Sequence, residues 1–209
     1  HNECSGKHAG FLTLNKHLKA SPDYELIDHP VQQAVKSAFE DVTQETSPMY
    51  GIDGCSAPNH ACTIHGLARA MAFFASAQDR SDVRSSAAAR LTQAMATFPE
   101  FVAGETRTCT DLRRAMDHKV AIKTGADGLF VAIVPSKRIS IALKVMDGTN
   151  SAQNCVIAAL LVRLGLLDPN HPEAILRLNP PTINRRGLVT GYMRPTSTLL
   201  DASFNLRSI

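Results

Sequence analysis

Apolar residues recur at helical spacing through much of the first half of the chain. Val31, Ala34, Val35, Ala38 and Val42 fall three or four positions apart, which predicts a helix. Asp28-His29-Pro30 starts it, with an acidic N-cap at Asp28 and proline in the first turn; Ser47-Pro48 closes it. Before it, Asn2-Glu3-Cys4-Ser5 leads into another helix, with Ser5 as N-cap and Ala9, Leu12 and Lys16 along one face. A third helix is expected over Ala61–Ala77, with Ile64, Leu67, Ala68, Met71 and Phe74 inward. A fourth runs over Asp82–Phe98 and stops at Pro99, and a short one covers Thr110–His118. The period then changes. Val120–Thr124, Leu129–Val134 and Ile139–Met146 read as three strands, the first ending at Gly125, the last two joined by Pro135-Ser136-Lys137-Arg138. Connections this short favour an antiparallel meander. Ser151–Leu166 is an apolar helix able to cover it, and Asn179–Arg194 is a tail of short strands rich in proline, glycine and arginine. The layout is α+β. It is read as a single incomplete domain over 1–209: a mainly helical part over 1–118, then the meander, its covering helix and the tail over 119–209.

Composition adds limits. With 44% hydrophobic and 20% charged residues in 209, the chain can bury a core. A net charge of +3 is too mild to argue for nucleic acid, and the cluster Arg185, Arg186 and Arg194 reads as a solvated loop edge. Five cysteines, an odd number at irregular spacing, are not a disulfide framework. They suit a reducing, cytoplasmic setting. The longest apolar run, Cys155–Leu167, contains Arg163 and is too short to span a bilayer, so no membrane partner is expected.

Three short segments carry candidate chemistry. In Cys4-Ser5-Gly6-Lys7-His8, a cysteine at a helix start is placed where free N–H groups favour a thiolate, able to act as metal ligand or nucleophile. A capped helix with a buried cysteine is the plain alternative. In Tyr50–Asn59, YGIDGCSAPN, two glycines, a proline, an aspartate and an asparagine make a loop with demanding backbone angles. It sets Asp53 and Gly54 beside Cys55; an ordinary Asx turn is the alternative. Cys4 and Cys55 together suggest a shared zinc site that leaves a position open, though not at zinc-finger spacing. Cys62, Cys109 and Cys155 read as small core or near-core residues. Lys123-Thr124-Gly125 is the KTG tripeptide of penicillin-binding proteins and class A β-lactamases, here at a strand end. There the strand carries lysine and threonine to the rim of an acyl-transfer site, and glycine lets the substrate lie close. A solvent-facing strand end is the alternative. No serine in the chain has a lysine three positions later; Thr13-Leu14-Asn15-Lys16 has the spacing, with threonine inside a predicted helix.

The segments CSGKHAGFL, YGIDGCSAPNHA, VAGETRTCTDLRRAM, KTGADGLFVAIVP, ISIALKVMDGTN and INRRGLVTGYMR together resemble the bacterial and fungal L-asparaginase II family of the Rhizobium type, in the family's order. The resemblance implies a fold like that of serine β-lactamases and glutaminases, and hydrolysis of L-asparagine to aspartate and ammonia. It implies a zinc site of Cys4, Lys7 and Cys55, with Asp53 near substrate and metal. Lys123, with Thr124, would belong to a serine–lysine pair, and His8, Gly54 and Gly125 would face the substrate. Lysine must ligate zinc as the neutral amine, which metal binding and burial both favour. The family's serine lies in an S-x-x-K segment before CSGK. The expectation is therefore that the N-terminal part, with strands completing the central sheet, is missing, and that a homodimer or a partner chain supplies what the fragment needs. Two further readings stand beside this one: a related β-lactamase-like or glutaminase acyl hydrolase, and a catalytically inactive zinc-holding module that binds asparagine.

Overall fold

A computed structural model describes residues 4–201; Asn2 and Glu3, expected to lead into the first helix, lie outside them. In chain order the elements are α1 (Ser5–Leu18), α2 (Pro30–Thr43), β1 (Tyr50–Ile52), β2 (Pro58–His60), α3 (Ile64–Ala75), α4 (Val83–Thr97), α5 (Pro99–Ala103), α6 (Thr108–Ala115), β3 (Ala121–Thr124), β4 (Leu129–Val134), β5 (Ile139–Lys144), α7 (Asn150–Arg163), α8 (Pro172–Leu178), β6 (Pro181–Ile183), β7 (Val189–Tyr192) and α9 (Ser197–Asp201). Helices with small sheets make an α+β fold. The sheet order is β1-β2, β3-β4-β5 and β6-β7. The four-residue links of β3-β4-β5 permit only the antiparallel meander that the strand pattern predicts.

The chain divides into two compact units: residues up to Thr92 with Ile133–Ala142, and Gln93–Ala132 with Leu143 onward. In the first unit α1 begins at Ser5, so Cys4 rather than Ser5 is the N-cap, with no side-chain capping bond. Phe11 is its buried residue, while Ala9 and Leu12 are exposed. Phe11 packs with Val31 and Ala57, and Leu14, Tyr24, Val35 and Cys55 close around them. α2 is capped by His29, not Asp28. The His29 ring nitrogen Nδ1 accepts from Val31 N at 3.1 Å, and Nε2 meets the Ser21 carbonyl at 3.1 Å. A buried imidazole bonded at both nitrogens is a better-fixed cap than a mobile surface carboxylate. At α3 the Thr63 hydroxyl accepts from Gly66 N at 2.9 Å, and Glu45 accepts from Thr63 N at 2.9 Å. Its buried positions are Gly66, Ala70 and Ala75, whereas Ile64, expected inward, is exposed. Small residues let this helix pack closely, so size at the contact overrides hydrophobicity.

The segment Tyr50–Asn59, expected as loop, belongs to a hairpin: Tyr50 pairs with His60 and Ile52 with Pro58. Its turn carries one left-handed residue, Ser56 at φ 73°, and neither Gly51 nor Gly54 has positive φ. Asp53 N donates to the Ala57 carbonyl and Ser56 N to the Asp53 carbonyl, both at 2.9 Å.

In the second unit α6, α7 and α8 pack together, with α6 also against β3. Leu112, Ile122, Phe130, Ile157 and Leu161 are fully buried. Gly128 sits at φ +79°, and a Cβ there would meet Val145 Cγ2, so only glycine fits this turn. The helix α8 has no counterpart in the sequence reading; Asp168–Leu178 carries its start signal, His171 capping at Glu173 N ahead of Pro172. Two buried arginines differ in their surroundings. Arg177 on α8 reaches Asp111 Oδ2 on α6 at 2.7 Å, Thr108 Oγ1 at 3.3 Å, and Glu173. Arg113 on α6 is fully buried, and its three guanidinium nitrogens have no hydrogen-bond partner among the described residues. Burial brings its pKa down to about 10.

These surroundings give opposite signs to the same substitution. Arg177→Met is expected to destabilise the chain by about 3 kcal/mol, because it leaves Asp111 and Thr108 desolvated without their partner. Arg113→Met is expected to stabilise it by about 1 kcal/mol or more, because it removes an unsatisfied buried cation and keeps the volume. Urea unfolding followed by circular dichroism measures both. Equal losses for the two variants would refute this assignment.

Candidate functional site

The first turn of α1 and the β1–β2 turn bring six of the sequence candidates together. Cys4 and Lys7 are one helical turn apart, so both point from the same face. Lys7 Nζ donates to Asp53 Oδ2 at 2.6 Å. Cys4 Sγ lies 3.9 Å from the same oxygen. Asp53 Oδ1 accepts from Gly54 N at 2.7 Å, which fixes the carboxylate over the turn. One ligand atom each of Cys4, Asp53 and Cys55 lie within 4.8 Å of one another. His8 stands next to Lys7 on α1, and its Nδ1 hydrogen-bonds Tyr24 OH at 2.8 Å. Its ring also packs edge-on against Phe11 and Tyr24. Tyr24 is a member of the site that the residue pattern did not reveal. It lies between predicted helices, and only the fold carries it to His8.

The electrostatics follow from this geometry. Burial alone would lower the Lys7 pKa, but hydrogen bonds to Asp53 and Cys55 outweigh it and hold the ammonium above the ordinary lysine value. Hydrogen bonds from Lys7 and the Gly54 N–H hold the Asp53 carboxyl below the usual carboxylate range. The two thiols part. A hydrogen bond with Cys55, then burial, raises Cys4. Burial pushes Cys55 up, but His8, the Ala57 N–H, Lys7 and Cys4 favour its thiolate more strongly and bring it to about 7. One thiol and one thiolate sharing a proton donor is the arrangement expected of two close sulfurs.

In the second unit, Lys123 and Thr124 end β3. Lys123 Nζ donates to the Thr124 carbonyl at 2.5 Å. Thr124 N donates to Cys109 Sγ at 3.2 Å, and Thr124 Oγ1 accepts from Gln153 Nε2 at 2.9 Å. Gly125 serves the turn itself: a Cβ there would come within 2.9 Å of Leu129 Cδ2. Cys109 and Cys155 are buried and Cys62 is half-buried, and all five cysteines are free thiols.

A family model described as L-asparaginase II matches residues 1–195. The chain belongs to the L-asparaginase II family. No match was found among curated proteins. Membership supports asparagine hydrolysis, in general terms, as the activity of this asparaginase-family chain. Among the described residues no helix is long and apolar enough to cross a membrane.

The shared thiolate leads to a reactivity difference. In the metal-free chain, alkylation of Cys55 by iodoacetamide should rise with pH and reach half its plateau near pH 7, because only the thiolate attacks. Burial raises Cys109, so it should stay unreactive there. Peptide mapping of alkylated cysteines across pH 5–10 (a range set about the ordinary thiol value) checks this. A Cys55 profile centred at or above the ordinary thiol value would contradict it.

Proposed function

We propose that this chain forms the zinc-holding, lysine-bearing part of an amidohydrolase that converts L-asparagine to L-aspartate and ammonia through a serine–lysine acyl-enzyme. The observation that supports it is the convergence of Cys4, Lys7, Asp53 and Cys55 from segments 46 residues apart at the Lys7–Asp53 bond, in a chain of the L-asparaginase II family.

The donor set suits zinc. Two thiol sulfurs, an amine and a carboxylate are borderline-soft and hard donors of the kind Zn²⁺ takes. Neighbouring ligand atoms around a tetrahedral zinc stand about 3.3–3.8 Å apart, from bonds of about 2.0–2.3 Å. The ligand atoms of Cys4, Asp53 and Cys55 lie within 4.8 Å of one another and need only a small contraction to reach this, and Lys7 Nζ lies 2.6 Å from Asp53 Oδ2. Cys4, Cys55 and Lys7 would hold the ion, with Lys7 giving up its proton and its bond to Asp53. Bound there, zinc would supply a fixed positive charge and a Lewis acid. Asp53, freed from Lys7, would stay beside the ion, and Tyr24 would hold the His8 ring in place.

In the reaction, Lys123 would help activate a serine hydroxyl by accepting its proton, and the serine oxygen attacks the side-chain amide carbon. The C–N bond breaks, and the nitrogen leaves as ammonia after receiving a proton. Water then attacks the ester, releasing aspartate and restoring the serine. Thr124, held by Gln153 and Cys109, fixes the backbone that carries Lys123. The serine would come from an S-x-x-K segment outside these 209 residues. The lack of that motif within them favours the second reading, an inactive zinc-holding module that binds asparagine.

Ammonia release from L-asparagine, with zinc present, separates the two when this chain and the complete coding product are assayed side by side. Activity in the complete product, falling about 100-fold or more in kcat on Lys123→Met, supports the hydrolase. Cys4→Ala and Cys55→Ala should each cut bound zinc, measured by atomic absorption after dialysis, well below one per chain. Zinc retained by both variants would sink the metal assignment, and no ammonia from either protein would sink the hydrolase.

A further inference from the structure

Cys4 and Cys55 are far apart in the sequence, yet the fold sets their side chains next to each other. Their sulfurs stand within 4.8 Å of one another, and the two thiols hydrogen-bond. Both residues are half-buried, so a small solute can reach them, whereas Cys109 and Cys155 are buried. Cys62, also half-buried, is no member of this cluster.

A covalent link between them needs no new approach of α1 to the β1–β2 turn, because Lys7 and Asp53 already tie the same two segments at 2.6 Å. A disulfide bond is about 2.05 Å long, and sulfurs this close reach it by turning about their Cα–Cβ bonds with a shift of the turn. The turn has room to shift: a Cβ placed on Gly54 would meet nothing within 4 Å. The Lys7 ammonium also hydrogen-bonds Cys55. A cation beside a partly exposed sulfur, with a second thiol in reach, is the setting in which cysteine is oxidised and then resolved as a disulfide.

We infer that Cys4 and Cys55 form an oxidative modification site, which closes to a reversible disulfide when hydrogen peroxide reaches the metal-free chain. One thiolate of the pair attacks a peroxide oxygen, the O–O bond breaks and hydroxide leaves. That sulfur is oxidised to a sulfenic acid as the peroxide is reduced. The sulfur of the second thiol then attacks the sulfenic sulfur. The S–S bond forms, the S–O bond breaks, and hydroxide departs with the thiol proton as water. In sum, two thiols and one peroxide give one disulfide and two waters. A dithiol reductant reverses the step by thiol–disulfide exchange. Only the consequence for zinc rests on the proposed function. A disulfide has no thiolate to give a metal, so oxidation removes the zinc site, and bound zinc protects both sulfurs.

A molar equivalent of hydrogen peroxide, added to the full chain after dialysis against a chelator, tests the site. Thiols per chain, titrated in denaturant, should fall by two from five and return with dithiothreitol. Non-reducing peptide mapping should find Cys4 joined to Cys55 within one chain. The same treatment in urea is the control, since the unfolded chain has no reason to prefer this pair. Cys4→Ser should leave Cys55 as a sulfenic acid that dimedone labels, and the map of the unsubstituted chain decides the pairing even where this variant loses stability. A Cys4–Cys55 link no more frequent than in urea, or loss of the two thiols as separate sulfinic acids, overturns the inference. Zinc is read separately, by atomic absorption and by the rate of thiol loss. Cross-linking that a molar equivalent of zinc slows about tenfold or more supports both the disulfide and the metal site. Cross-linking that zinc does not slow keeps the disulfide and removes zinc from these sulfurs. Zinc bound by a chain that never cross-links keeps the metal site and removes the disulfide.

Discussion

The Lys7–Asp53 bond joins a helix to a hairpin turn that the chain places 46 residues apart, and the first unit is arranged around that meeting. At 2.6 Å between half-exposed groups it is a charge-assisted bond, but its exposure to water limits how much it can stabilise by itself. The stabilisation lies underneath. Phe11, one turn further along α1 from Lys7, packs on Val31 and Ala57. Ala57 closes the same turn by accepting from Asp53 N. The apolar contact fixes where α1 and the turn meet, and the ion pair fixes their orientation.

This division of labour has a chemical consequence. Two thiols, an amine and a carboxylate are gathered in a small space without enough counter-charge to leave every proton in its ordinary place. The strain is resolved in protons: Cys55 falls to about 7, Cys4 rises, and Lys7 holds its proton against burial. A divalent cation would displace the loosely held proton of Cys55 most readily, and would have to displace those of Cys4 and Lys7 against raised pKa values. His8, held by Tyr24 through one ring nitrogen, is the group that most favours the Cys55 thiolate.

The second unit handles buried polarity differently. Arg177 satisfies carboxylates and a hydroxyl and locks α8 to α6. Gln153 places its amide nitrogen in a network with Thr124 and Asn150, and its Oε1 is buried without a partner among the described residues. Arg113 differs: it is buried on α6 and unpaired among the described residues, and burial lowers its pKa.

Much of the architecture was legible along the chain. The β4 boundaries coincide with the strand pattern, α4 ends before Pro99 as proline requires, and α7 starts one residue before its expected first residue. These elements follow local rules: period, proline and turn residues act within a few positions. The pairing of CSGK with DGC was also readable, through cysteines that no disulfide pattern absorbed and through likeness to a family. What the sequence could not determine was every contact made across the fold. His29 caps α2 because the chain folds its ring onto Ser21, which a local rule favouring Asp28 cannot register. Ile64 faces solvent because α3 packs through Gly66, Ala70 and Ala75, where closeness of approach outweighs side-chain hydrophobicity. Ser56, not either neighbouring glycine, takes the left-handed position because hairpin pairing sets where the turn must bend. Tyr24 beside His8, and Gln153 beside Thr124, are brought there by tertiary packing alone. Sequence set the elements and supplied the donor atoms; burial and the meeting of distant segments decided which atoms share protons and which are left unpaired.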